Sequence, residues 1–151
     1  MKKSISRILK YGTLLSSWLL IGSVLLQIFA RFFLESAPAW TEEASRLFFI
    51  YAVAFAAGLA FKDDYYVYLE VFFEKLSPRI QRTLLVAIPT FTTLLFGIMT
   101  IYAIQFIQIG WIEKSPGMKI SMAIAFASML IMSSTICYFS ILELNKNRKA
   151  L

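Results

Sequence analysis

Residues 83–112 read TLLVAIPTFTTLLFGIMTIYAIQFIQIGWI, thirty consecutive positions without a charged side chain. At ~1.5 Å of rise per residue, a helix of ~20 residues already crosses the ~30 Å hydrocarbon core of a bilayer. Backbone N–H and C=O groups find no water there, so a run of this length predicts a membrane-spanning helix. Tilt, or a start within the interface, absorbs the excess over one perpendicular crossing. Pro89 falls near the beginning of the run and predicts a kink or an entry point.

Three further runs flank this one. Tyr11–Ala30 is charge-free for twenty residues between Lys10 and Arg31. A secretory signal has an apolar stretch of only ~7–15 residues, so this run reads as an uncleaved span. Leu47–Phe61 is shorter, and Ala44, Ser45 and a snorkelling Arg46 extend it at its N-terminal side. Thr41 is the expected N-cap, with Glu42 and Glu43 in the first turn, where carboxylates suit the helix dipole. Ile120–Leu142 is the last run, entered through a tight turn at Pro116-Gly117. Between the second and third runs, Asp63, Glu70, Glu74 and Ser77 fall near one stripe at helical spacing. Tyr66, Val67, Leu69, Phe73 and Leu76 occupy much of the rest, which predicts a helix in the membrane interface or a continuation of the second helix. Ser77-Pro78 should end it. The expected fold is an all-α integral membrane protein, one domain over 1–151, with transmembrane helices at about 11–34, 41–61, 83–112 and 120–142.

Composition agrees with that assignment. Of the 151 residues, 59% are hydrophobic and only 16% charged, and the mean hydropathy is +0.70. The net charge of +6 comes from basic residues beside apolar runs, so anionic phospholipid headgroups are the expected partner and nucleic acid is not. The basic residues also give the orientation. Lys2, Lys3, Arg7 and Lys10, the middle group Lys62, Lys75, Arg79 and Arg82, and the tail group Lys146, Arg148 and Lys149 fall on one side of a four-span chain. The other side holds Arg31, Arg46, Lys114 and Lys119. Lys and Arg concentrate on cytoplasmic faces, so both termini are expected inside. Trp40 and Trp111 then lie at the outer interface, where amphipathic rings are favoured.

The residue inventory excludes several chemistries. The chain has one cysteine, Cys137, and no histidine. It therefore has no internal disulfide, no bis-histidine haem site and no ordinary zinc site. Cys137 lies within an apolar run and reads as a small buried hydrophobe. No Asp or Glu falls inside any of the four charge-free runs, so a proton- or ion-coupled site at mid-membrane has no carboxylate. No nucleophile–base pair is visible either, so the chain is read as no enzyme, with no catalytic, cofactor-binding or metal-binding residue of its own.

Two features read as contacts with other chains. Arg31, Glu35, Glu42, Glu43 and Arg46 form an outer-face charge cluster, in which Glu42–Arg46 and Glu43–Arg46 are neighbours on one helix face. Arg31, at the end of the first helix, is close enough in a hairpin to meet Glu43. The alternative is routine interfacial charge facing water and headgroups. Ala52, Ala56 and Ala60 repeat every fourth position, with Ala54 and Gly58 on roughly the opposite face. Small residues let helices approach closely, so the second helix is expected to sit between two neighbours. Gln105 and Gln108, towards the outer end of the third run, are available to hydrogen-bond within the helix, to water or to a partner.

Arg31 followed by Trp40-Thr41-Glu42-Glu43-Ala44-Ser45-Arg46-Leu47-Phe48 resembles the small membrane subunit, the DctQ type, of tripartite ATP-independent periplasmic (TRAP) transporters. That pattern has an Arg ending the first helix and a Trp-[Ser/Thr]-Glu-Glu motif opening the second. It continues into an aromatic, Ala/Gly-rich span, here Phe48-Phe49-Ile50-Tyr51 and Ala56-Ala57-Gly58. The resemblance covers the whole chain in layout, including an amphipathic segment ending near Leu76-Ser77-Pro78-Arg79, and about 40 residues in motif. One departure stands out: many relatives carry a His soon after the second helix, where this chain has Asp63-Asp64-Tyr65-Tyr66.

The resemblance implies a bacterial inner-membrane importer of three parts. A periplasmic substrate-binding protein captures an organic acid of the sialic acid or C4-dicarboxylate class. A large membrane subunit binds sodium and moves the acid, and the small subunit scaffolds it. Arg31, Trp40, Glu42, Glu43, Arg46, Ala52, Ala56, Gly58 and Ala60 are then the candidate subunit contacts. The competing reading is a stand-alone homo-oligomeric transporter. Small multidrug exporters have a similar size and span count, but they rely on a carboxylate within the first helix. Here that helix offers only Ser16, Ser17, Ser23 and Gln27.

Overall fold

The computed structural model describes residues 2–33, 38–62 and 76–150. Four helices account for nearly all of them: α1 (Lys2–Phe33), α2 (Ala39–Lys62), α3 (Pro78–Gly110) and α4 (Ala123–Ala150). Each is long and apolar enough to cross a membrane. The helices run past the apolar runs. α1 begins in the polar tail, α3 takes in Arg79 and Arg82, and α4 carries on through Lys146 and Arg148. Charged residues with good helix propensity prolong a helix once it leaves the hydrocarbon, because the hydrogen-bonded ladder does not require apolar side chains. Ser77 is the N-cap of α3 and Pro78 opens it, so Ser77-Pro78 starts this helix. The amphipathic reading of that segment falls on residues 63–75, outside the described residues.

Thr41 departs from its expected role as N-cap. α2 starts at Ala39, which places Thr41 within the first turn, fully buried. Its hydroxyl does not receive an N–H; it donates to the Pro38 carbonyl at 2.8 Å, beside the Thr41 backbone N–H at 3.0 Å. One carbonyl thus holds two donors of the same residue.

The helices form an open row. α1 packs on α2, α2 on α4, and α4 on α3. The core joins Leu9 of α1, Phe61 of α2, and Ile136 and Phe139 of α4. It lies at the end of the molecule that carries both termini. Gly58 sits where three helices meet: a Cβ there would come within 2.8 Å of the Thr135 hydroxyl on α4 and 3.1 Å of Leu9 on α1. α2 is therefore held between two neighbours through its smallest residue.

The α3–α4 contact is polar where the backbone demands it. Pro89 lies inside α3 and has no N–H for the Leu85 carbonyl four residues earlier. The Asn147 side-chain amide donates to that carbonyl at 2.8 Å. The Thr93 hydroxyl donates to Ser140 Oγ at 2.9 Å, and Ser140 donates on to the Pro89 carbonyl at 2.8 Å. Among the described residues, no buried side-chain polar atom lacks a partner. That is the condition a polar group must meet in hydrocarbon.

Candidate subunit-contact site

At the end of the molecule opposite the termini, α2, α3 and α4 converge on the loop between α3 and α4. Ser121 organises it. Its hydroxyl donates to the Gly110 carbonyl at 2.9 Å, at the end of α3, and accepts the Ala123 N–H at 3.3 Å, at the start of α4. An isolated antiparallel bridge between Lys114 and Ser121 closes the loop across the Pro116-Gly117 turn. Lys119 takes a left-handed backbone, φ 56°, so that its N–H reaches the Ser115 carbonyl at 3.0 Å.

Into this loop projects Glu43, from the first turn and a half of α2. Its carboxylate accepts the Ser115 hydroxyl at 2.6 Å, the Gly117 N–H at 2.8 Å and the Met118 N–H at 2.7 Å. Three donors and no acceptor surround it, an arrangement that suits an ionised carboxylate and no neutral group of the same shape. Gly117 is required by the approach: a Cβ there would lie 2.9 Å from Glu43 Cδ and 3.1 Å from the Ala39 carbonyl. The clasp forms one wall of an apolar cleft of about 320 Å³, lined by Leu47, Ile50, Pro116, Met118 and Met122, with Arg46 at its edge.

The charge cluster therefore divides. Glu42 and Arg46 make an ion pair one helical turn apart, both side chains well exposed. Glu43 turns the other way, into the loop. Arg31, in the last turn of α1, is exposed and meets neither carboxylate; Glu35 lies outside the described residues. Trp40 is also exposed. Of the small residues, Ala52 and Gly58 are buried within the chain, Ala56 is half-buried and Ala60 is exposed. Gln105 and Gln108 are both exposed on α3. Ser115, Gly117 and Met118 were not legible as partners of Glu43, because two of them contribute only backbone N–H groups 74 and 75 residues away in the chain. The Pro116-Gly117 dipeptide was the local signal of a tight turn there.

The fold is that of a multi-pass membrane protein whose polar groups serve packing and one end-loop clasp. Residues 20–149 match the family described as tripartite ATP-independent periplasmic transporters, DctQ component, and the chain belongs to that family. It is also 26% identical over 140 residues to a Haemophilus influenzae protein assigned by name as a TRAP transporter small permease protein, across 92% of this chain and 83% of that relative. The chain is thus a TRAP small permease subunit of the inner membrane, a transporter component and not an enzyme.

Proposed function

We propose that the chain scaffolds the large membrane subunit of a sodium-driven importer of an organic acid, of the sialic acid or C4-dicarboxylate class, with both termini in the cytoplasm. The open helix row is the observation that carries this reading. α1 and α3 lie at its two ends, and among the described residues α1 packs mainly on α2 and α3 mainly on α4. Trp18, Phe32 and Phe91 stand more than 70% exposed on them. A four-helix transporter working alone would close its helices around a path. A row instead offers broad faces to a larger protein and to lipid. The family's description, tripartite, ATP-independent and periplasmic, supports a transporter of several parts driven by something other than ATP, a role an ion gradient can fill. Sodium and substrate then belong to the large subunit, and capture belongs to the periplasmic substrate-binding protein.

Reconstitution tests this reading. Liposomes are prepared with the large subunit and this chain together, with each alone, and with the periplasmic protein outside under an inward sodium gradient. Uptake of labelled sialic acid or succinate is expected only when all three proteins are present. Uptake by this chain alone would establish the stand-alone transporter. Equal uptake by the large subunit without this chain would remove the scaffold role.

A further inference from the structure

We propose that the groove between the N-terminal part of α1 and the C-terminal part of α2 binds one anionic phospholipid. Lys3, Arg7 and Lys10 lie on one stripe of α1 at spacings of four and three, and all three are exposed. They wall a groove of about 780 Å³ whose floor is Ala56, Leu59 and Ala60 of α2. Among the described residues no carboxylate lines it. Lys62 stands at its rim, but it holds an interaction of its own and is followed by Asp63 and Asp64, outside the described residues. The three α1 cations therefore carry the attraction.

The vertical order of groups fits a lipid better than a soluble anion. Lys10 is the last charged residue before the apolar run of α1, and Lys62 is the first after that of α2. Both therefore mark the level of the headgroups. Ala56 lies six residues before Lys62, about 9 Å deeper along the helix, within the hydrocarbon. A phosphate at Arg7 and Lys10 would place its glycerol and upper acyl chain over Ala56, Leu59 and Ala60, where the small side chains leave a slot. Tyr11 and Ser6, also in the lining, add hydroxyls at headgroup level. Lysines and arginines near a surface attract anionic headgroups, and an apolar floor gives the acyl chain what inorganic phosphate cannot use.

This lipid site goes beyond the transport reading and does not depend on it. Its test is native mass spectrometry of the full chain in a mild detergent, titrated separately with phosphatidylglycerol and phosphatidylcholine. One phosphatidylglycerol should be retained in preference to phosphatidylcholine, and millimolar inorganic phosphate should not displace it. Lys3→Gln/Arg7→Gln/Lys10→Gln should weaken it by about tenfold or more, given the attraction of each cation for the headgroup. Lys3→Arg/Arg7→Lys/Lys10→Arg, which keeps the charge, should retain it. Arg79→Gln/Arg82→Gln/Arg148→Gln, an equal loss of charge at the same end, should leave it nearly unchanged. Equal retention of both lipids, equal weakening by both glutamine triples, or displacement by phosphate would each overturn the assignment. So would loss of the lipid when the large subunit is added, since the groove would then belong to protein.

Discussion

Asn147 on α4 supplies to the Leu85 carbonyl of α3, at 2.8 Å, the hydrogen bond that Pro89 cannot make. A proline inside a helix leaves the carbonyl four residues back without its donor. In hydrocarbon or at its border, that carbonyl has little water to turn to. Asn147→Ala should therefore cost about 1–3 kcal/mol, the usual penalty for leaving such a group unpaired. The decisive comparison is the same substitution in a Pro89→Ala background. Alanine at that position restores the backbone N–H, so Asn147→Ala should become nearly neutral there. Denaturant unfolding of the four proteins gives the coupling; additive losses would show that Asn147 does not serve this carbonyl.

Gly58 fixes the closeness of three helices. Gly58→Ala places a methyl 2.8 Å from the Thr135 hydroxyl and 3.1 Å from Leu9. Overpacking of this kind typically costs about 1–3 kcal/mol. Because the tightest contact is with Thr135, Thr135→Ala should recover part of the loss, whereas a substitution at the exposed Val53 should not. Thermal unfolding of the single and double variants measures this. An unaffected Gly58→Ala protein would mean that α1 and α4 can both give way.

The four spans were legible because a charge-free run of bilayer length has few other solutions, as 83–112 shows. Their ends were less legible. Lys3, Arg7, Lys146 and Arg148 are unfavourable in hydrocarbon but acceptable in a helix, so hydropathy stops where the backbone ladder does not. The small residues of α2 did predict a helix with two neighbours, and Gly58 shows why: it admits Leu9 on one side and Thr135 on the other. The charge cluster was only half legible. Glu42 and Arg46 pair through local helical spacing, which a sequence displays. Glu43 pairs across 72 to 75 residues with one hydroxyl and two backbone N–H groups, and backbone donors carry no sequence signature.

Orientation follows from the distribution of Lys and Arg and has a direct test. With eleven basic residues on the side of the termini and four on the other, reporter enzymes fused to residue 1 or 151 should be active only when they function in the cytoplasm. A reporter fused in the 113–119 loop should behave in the opposite way. A periplasm-specific reporter active at the C-terminus would reverse the arrangement.

The charge cluster gives the sharpest separation between a structural and a docking role. Glu43→Gln keeps the side-chain shape but replaces one acceptor oxygen by an NH₂ group, which would face either the Gly117 N–H or the Met118 N–H donor to donor, since these two bind different carboxylate oxygens. The loop that joins α3 to α4 then loses its hold on α2, and the cleft wall goes with it. Glu43→Gln should therefore lower the thermal stability of the chain itself, with or without the large subunit. Glu42→Gln and Arg46→Gln break an exposed pair worth about 0–1 kcal/mol, so they should barely move it. Their effect is expected on recovery of the complex with the large subunit or the periplasmic protein, since the pair stands exposed and Arg46 lines the cleft. Apparent sodium affinity of whatever complex remains should stay at the wild-type value in all three, because the cluster lies at a helix end and not at mid-membrane. Thermal unfolding of the purified chain, co-purification yield and sodium-dependent uptake separate these effects. Equal thermal losses in all three variants would merge the two roles. If Glu42→Gln and Arg46→Gln both left assembly and uptake intact, the exposed pair would be ordinary interfacial charge, and docking would have to be sought on the uncovered faces of α1 and α3.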